Sequence, residues 1–528
     1  MLAVWKKIPI KCEIEGRSCT RSVVYDEKIL FFGGLSGNKF FNKLMSFDYK
    51  TYEINQIIPD NNFNEKELED PEKYPPGRSG HNMVIYKDTL IIIGGIAHGT
   101  MKDSYCFDLK THGCIKVKKI NLDIYFHSLI QHEDCLFIFG GDSQKRHHNN
   151  KFRVFSMEKM KFIRYRTKGK RPCARSRHSA FVWNNKMFIF GGTGSLESSK
   201  INELDDLHCL DFKTKRWELI ETYGTKPEKR RSFTCNLYKD KMYIFGGVNS
   251  VGKHFNDFFQ FDLIRNTWTK VAAIGDIPSP RAAPIGEIIN SNMYLTFGSF
   301  QENMVWTQKN DFHQCSILNE LEVHFWEVFK NQELMDLEFP GTKAHLLLME
   351  KKIGALSTKI FISKVKNNND FFTKEEIRDF VKWIYTGILS PNVYYVAKIA
   401  RFDISKCPDL SQILTNMEKE EKEKDFKIIY KKHVIKVHKL ILQARSNLFR
   451  GMFLSLSHNE NSVKNFCKVH IETLKIFIRF LYTCEIIIHP DFDKEFICKE
   501  LEDCAEFYQL PINSKLYNLI DNILQKEK

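Results

Sequence analysis

Ile189-Phe190-Gly191-Gly192 ends an apolar run in a glycine pair. The phrase recurs at Phe31-Phe32-Gly33-Gly34, Ile92-Ile93-Gly94-Gly95, Ile138-Phe139-Gly140-Gly141 and Ile244-Phe245-Gly246-Gly247, with a weaker sixth version at Thr296-Phe297-Gly298-Ser299. The steps are 61, 46, 51, 55 and 52 residues. A period of this size dictates a repeat architecture before any catalytic motif is considered. Other residues keep register with the pair. Arg17, Arg78, Arg175 and Arg230 precede it by 16 residues and Arg281 by 17, while Tyr25, Tyr86, Trp183 and Tyr238 precede it by eight. Downstream, Asn42 to Asp48, Lys102 to Asp108, Asp205 to Asp211 and Asn256 to Asp262 share a polar-to-aromatic phrase ending in Asp, and Trp217 and Trp268 follow the last two by six residues.

Each unit reads as four short strands separated by turn residues, which suits a propeller blade; the runs are too short for helices. Val4-Trp5-Lys6 resembles the end of a unit, and the sixth unit runs out near Trp306 without a fourth strand. The N-terminal strand is therefore expected to complete the last unit, closing a ring and removing an exposed edge. A paired glycine at a strand end permits backbone shapes and close approaches closed to other residues, so the pairs need no ligand. Gly191 to Ser195 lacks the βαβ context and spacing of a phosphate loop. The fixed offset of the arginines points to carbonyl or carboxylate partners inside each unit, and His81 and His178, three residues after an Arg, are read the same way.

The composition bounds the rest. With 528 residues, 43% hydrophobic and 27% charged, the chain is globular and too long for one domain. The net charge of +14 over this length is weak evidence for nucleic-acid binding, and none is expected. Met1 to Lys7 has no signal core and no apolar run reaches the length of a membrane span, so a soluble intracellular protein is expected, cytoplasmic with the nucleus as alternative. The 14 cysteines form no CxxC pair, so reduced thiols, no metal site and no cofactor are expected. Arg146-His147-His148-Asn149-Asn150 reads as a loop contact or a solvated run, with metal binding a minor option.

The diglycine, spaced Arg and Trp resemble Kelch repeats, whose family forms β-propellers. The expected fold is a six-bladed Kelch propeller over residues 1–312, with departures in the third unit at Ile124 (for Arg) and Ser156 (for Asp). Antiparallel strands put the segments before each Arg and after each glycine pair on one face. Loops on a rigid scaffold carry binding residues, so a target protein is expected there, at Ser36, Asn38, His98, Ser143, Arg146, His147, Ser195 and Asn249.

Past residue 315 helical spacing takes over. Ile435 to Phe453 reads as a strand leading into a helix with Leu440, Ala444 and Leu448 on one face. With Asp425-Phe426-Lys427-Ile428-Ile429, Phe477 to Thr483 and Ala505 to Leu510, it resembles a BTB/POZ domain, expected over 418–528. Met335 to Phe339, Lys343 to Leu348 and Phe380 to Gly387 follow the same order, giving a divergent BTB-like domain over 316–417. Its Asp336-to-His345 spacing is 9 against 13 from Asp425 to His438, which implies a shortened or missing hairpin. The run Glu418 to Asp425 reads as a solvated helical connector.

A propeller followed by two α+β BTB-like domains resembles the leucine-zipper-like transcriptional regulator group of Kelch–BTB adaptors. That resemblance implies a non-enzymatic adaptor: the propeller holds a target while a BTB domain docks on a cullin or dimerises, or the two BTB-like units pair within the chain. The family's dimer or cullin contacts map onto Asp425, Lys439, Arg445, Phe453, Leu456 and Glu460. Leu456 and Glu460 stand at shifted spacing for the apolar-x-Glu cullin element, which favours a non-degradative cytoskeletal or signalling scaffold as the alternative. Asp425 with Lys439 or Arg445 reads equally well as an internal salt bridge. No zinc finger supports a transcription factor, and no Cys/Tyr/His constellation supports an oxidase.

Overall fold

The computed structural model describes residues 2–57, 70–71, 73–117, 119–145, 147–194, 202–289, 291–302, 305–318, 325, 337–339, 342–366, 372–386, 390–401, 404–408, 410–421, 424–455, 462–464, 467, 469–510 and 515–525. They divide into two compact units, Ala3–Ile317 and a second from Leu318 onward. Among the described residues no helix is long and apolar enough to cross a membrane.

Among the described residues the first unit contains six main sheets, five of them built on four antiparallel strands in sequence order. The first comprises Arg21–Tyr25, Lys28–Phe32, Leu44–Asp48 and Glu53–Gln56, and the next four repeat the plan with Asn82–Tyr86, Ser128–His132, Ser179–Trp183 and Thr234–Tyr238 as their opening strands. The sixth breaks sequence order. Ile285–Ile289 and Asn292–Thr296 are joined by Phe312–Leu318, and the fourth strand is Leu2–Ile8 from the other end of the unit. A boundary at 312 thus cuts a strand the repeat pattern does not reveal. Trp306 lies instead in a separate hairpin, Ser299–Glu302 with Val305–Gln308.

Trp5 stands where Trp217 and Trp268 stand in their sheets. All three are buried, and each packs on the second strand of the preceding sheet: Trp5 on Phe245, Trp217 on Phe139 and Trp268 on Phe190, with ring centroids 4.9–5.8 Å apart. Their carbonyls sit against Gly275, Gly169 and Gly224 of the incoming chain. The opening strands neighbour one another in the order of the six sheets, and the first also neighbours the sixth.

The second glycine of each pair ties one sheet to the next. Gly34, Gly95, Gly141, Gly192 and Gly247 donate their N–H to the carbonyls of Arg78, Ile124, Arg175, Arg230 and Arg281, and Gly298 donates to Arg17, all at 2.8–3.2 Å. The acceptor is main chain, so Ile124 serves where Arg is missing. In the sixth unit Phe297, at φ +61, takes the first glycine's place. Counted from there, Arg281 keeps the 16-residue offset of the others.

In the second unit one hydrophobic core runs from Phe325 to Ile520. A hairpin of Phe426–Tyr430 and His433–Val437 is joined in parallel by Ser462–Lys464 and packed by the helices Lys439–Arg445, Asn447–Ser455, Ile471–Thr483 and Lys494–Phe507. Before it, a three-residue hairpin (Leu337–Phe339, Thr342–Ala344) precedes helices Leu346–Ile353, Ala355–Lys366 and Lys374–Thr386. Its strands are three residues long against five in the later hairpin, consistent with the 9-residue spacing. The proposed helical connector is cut short: the helix ends at Lys419 and Glu420 pairs with Lys351.

Gly34 has φ +98, and a Cβ there would lie 2.2 Å from Thr20 Oγ1, whereas one on Gly99 would meet nothing within 4 Å. Gly34→Ala is expected to lower unfolding free energy by about 1–3 kcal/mol and Gly99→Ala by much less, measured by denaturant titration.

Candidate functional site

The residue after each Arg position pairs with the residue after the glycine pair: Ser18 with Leu35, Ser79 with Ile96, Tyr125 with Asp142, Arg231 with Val248 and Ala282 with Ser299. Both loop families therefore leave the sheets at the same end. One residue further, Cys19, Gly80, Phe126, Arg177, Ser232 and Ala283 all adopt left-handed φ of 51–61°. This aims their amides along the ring: Gly80 donates to Cys19, Phe126 to Gly80, Arg177 to Phe126, Ser232 to Arg177 and Ala283 to Ser232, at 2.6–3.4 Å. These bonds rim the face.

Beneath them the repeated arginines are consumed internally. Arg78, Arg175, Arg230 and Arg281 each donate Nε to the carbonyl two residues before and Nη1 to the carbonyl 16 residues on, at 2.9–3.3 Å. Each also pairs with an aspartate, respectively Asp103, Asp206, Asp257 and Asp311, at 2.5–2.8 Å. Their fixed position is thus structural. Arg17 instead stacks on Phe41 at 3.7 Å. The third unit holds Ile124 and Lys151 where those four units hold Arg and Asp. A different cluster fills the gap: buried Asp142 receives the His148 N–H at 2.8 Å and Arg177 Nη1 at 3.0 Å, and Asn149 donates to the Gly141 carbonyl at 2.7 Å. His148, Asp142 and Arg177 were not singled out as ring residues by the sequence, because their contacts are irregular in spacing.

The loop residues expected to meet a target divide into groups. Ser36 and Asn38 lie in the hairpin Leu35–Ser36/Lys39–Phe40, with Asn38 exposed at its tip. His98 is exposed and stands edge-on to Phe40 at 5.6 Å, joining two loops. His147 is exposed and Ser143 half-buried. Asn249 is committed to its own loop, accepting from the N–H groups of Val251 and Lys253 at 3.2 and 2.9 Å. Arg146 and Ser195 lie outside the described residues. The face also carries Val251, Val305 and Trp306, which are 84%, 64% and 52% exposed and which the repeat pattern did not flag. His254 stands edge-on to Trp306 at 6.0 Å.

In the second unit two clasps repeat. The main-chain N–H of His345 donates to Tyr385 Oη at 2.7 Å and its Nδ1 lies 2.7 Å from the same oxygen; His438 and Tyr482 do the same at 2.8 and 2.9 Å. His345 Nε2 lies 3.0 Å from the Gln443 side-chain amide, linking the helix starts that follow the two hairpins. Asp425 accepts the Lys439 N–H at 2.8 Å, so it caps the following helix. Lys439 Nζ lies over Phe426 and near Phe453, 5.6 and 6.0 Å from their centroids, and buried Arg445 donates to Cys484 Sγ at 3.1 Å. Leu456 and Glu460 lie outside the described residues. Among the described residues no group of His, Cys, Asp and Glu could hold a metal ion.

Two family descriptions match: a KLHDC2/KLHL20/DRC7 Kelch-repeats domain over residues 124–347 and a BTB/POZ domain over 414–517. Similar curated proteins include Acyl-CoA-binding domain-containing protein 4 of Arabidopsis thaliana, 27% identical over 238 residues, or 42% of this chain and 35% of that protein. Kelch domain-containing protein 3 of Homo sapiens is 28% identical over 241 residues (43% and 62%), and the Leucine-zipper-like transcriptional regulator 1 homolog of Drosophila melanogaster 24% over 276 (49% and 27%). The match spans about a third of the first of these relatives. The chain carries Kelch repeats and a BTB/POZ domain, both protein-interaction modules.

The ring's polar chemistry gives a pH dependence. Burial, reinforced by nearby arginines, keeps His81, His127 and His178 neutral, with His127 lowered to about 3. A folded pKa below the unfolded value near 6.5 means stability is lost as pH falls through that value, by about 1 kcal/mol per histidine per pH unit. Burial opposes ionisation of Asp206 and Asp311, yet hydrogen bonds from His208 with Arg175, and from Arg281 with His313, hold both below the usual carboxylate range. Their contribution is present above the ordinary value of 3.8 and disappears below it. Denaturant midpoints are expected to fall from pH 7 to 5 and again below 4, and His127→Phe to flatten the first step alone.

Proposed function

We propose that the first unit is a closed six-bladed propeller, that residues 316–417 and 418–528 are tandem BTB-like domains, and that the chain is an adaptor. The propeller's loop face takes a target protein and the C-terminal BTB domain docks on a cullin, bringing the target to ubiquitin transfer. No covalent step falls to this chain: its contribution is effective concentration of the target beside the transfer machinery. The observation that carries the reading is the loop face, where exposed Trp306, Val305, Val251, His98 and Asn38 stand on hairpins anchored by the repeated cross-bridges. Exposed aromatics on a rigid support are what protein interfaces use as anchors.

The repeated His–Tyr clasps and the single core support the tandem reading. The His345–Gln443 contact and the Lys351–Glu420 ion pair support pairing of the two copies within one chain. On this account the full chain sediments as a monomer, and a BTB-mediated dimer contradicts the pairing.

The adaptor reading is tested by size-exclusion binding of the full chain to a purified cullin N-terminal domain. The chain is expected to co-elute, with Leu456→Asp and Glu460→Ala reducing recovery by about tenfold. Absence of binding by the unaltered chain contradicts the ligase role and favours the scaffold. In crosslinking mass spectrometry the target is expected on the loop hairpins, and Trp306→Ala to weaken its capture by about tenfold without changing the melting temperature.

A further inference from the structure

The opening strands of the six sheets line a half-open cavity of about 190 Å³ in the first unit. At ~10–15 Å³ per water this is room for on the order of ten waters, enough for a small organic solute. Its wall is polar, but most of that polarity is spent on the wall itself. Asn82 donates to the His127 carbonyl at 3.0 Å and Asn236 to the Gly286 carbonyl at 2.6 Å.

Two charged groups are left with unspent atoms. Arg21 donates Nε to the His81 carbonyl at 3.2 Å, and among the described residues its two terminal guanidinium nitrogens have no protein partner. Glu287 accepts from Ser22 Oγ through Oε1 at 2.7 Å, leaving Oε2. Both are half-buried and line the cavity, so they offer those atoms to it. The two do not pair with each other. Burial raises the Glu287 carboxyl to about 7 against the Ser22 hydrogen bond and lowers Arg21, as expected of charges with no counter-ion beside them. Among the described residues the other ionisable groups in the wall are His178 and Cys235, which burial keeps neutral. Half-buried charges without a counter-ion are poorly compensated, and a ligand with complementary charges at its two ends stabilises the charged form of both groups at once.

We propose that this cavity is a binding site for a small zwitterion of the amino-acid class, its carboxylate on the Arg21 guanidinium and its ammonium on Glu287 Oε2. The geometry suits the two ends: a planar guanidinium offers a carboxylate two parallel N–H donors, and a carboxylate oxygen accepts from an ammonium. The site is separate from the loop face and stands whether or not the adaptor reading does.

The test is isothermal titration of the full chain with glycine, β-alanine and 4-aminobutanoate, a series that varies the distance between charges, and with acetate and methylammonium as single-charge controls. At least one zwitterion is expected to bind about tenfold more tightly than either control, and Arg21→Met and Glu287→Gln each to remove that margin. Glu287→Gln keeps an acceptor for Ser22, so it tests the site even if Arg21→Met fails to fold. Three results overturn the proposal: no heat with any zwitterion, acetate binding as tightly as the zwitterions, or zwitterion binding unchanged in a folded Glu287→Gln chain.

Discussion

The main-chain bond from the second glycine of one unit to the carbonyl at the next unit's arginine position is the constraint on which the first unit rests. It is short, made of backbone on both sides, and repeated six times, the last time from Gly298 to Arg17. Each bond contributes on the order of 1 kcal/mol, so no single one decides the fold. Their geometric effect is larger. The glycine has to come within reach of a neighbouring carbonyl, which excludes a Cβ, and the arginine side chain then fixes that same carbonyl segment by binding back to its own sheet. The glycine and the arginine therefore recur together at constant offset, and side-chain function need not be invoked for either.

That coupling made most of the first unit legible. Period, offset and strand content all follow from local chemistry, and the place of the N-terminal strand followed from counting strands. What was hidden had irregular chemistry. The strand Phe312–Leu318 follows a hairpin insertion that shifted the spacing of the sixth unit, and Phe297 in a left-handed conformation disguised the true position of the glycine pair. In the third unit Ile124 and Ser156 stood in the sequence as departures from the Arg and Asp of the pattern. The structure shows substitution instead: Asp142, His148, Asn149 and Arg177 rebuild the polar contacts from a loop whose residues look like a solvated run. Of the expected loop contacts, Asn38, His98 and His147 are exposed, whereas Asn249 shapes its own turn. Trp306 escaped notice because an exposed aromatic in an insertion has no period.

The second unit shows the same lesson at lower resolution of pattern. The His–Tyr clasp joins residues 40 and 44 apart in the two copies, linking the start of one helix to a later one. In sequence the pair was visible only as matched positions, since a hydrogen bond between a main-chain amide and a distant phenol leaves no local trace. The continuous core from Phe325 to Ile520 was also invisible, because each copy alone has a plausible amphipathic pattern.

The central claim is that the chain's first strand closes a ring of six sheets, and native-state hydrogen exchange on the full chain tests it most directly. The account predicts that Leu2–Ile8 and the Gly298 amide exchange as slowly as the Gly34 and Gly192 amides, through the same global opening. Exchange of Leu2–Ile8 at the rate of a free chain, with the other sheets still protected, would contradict it.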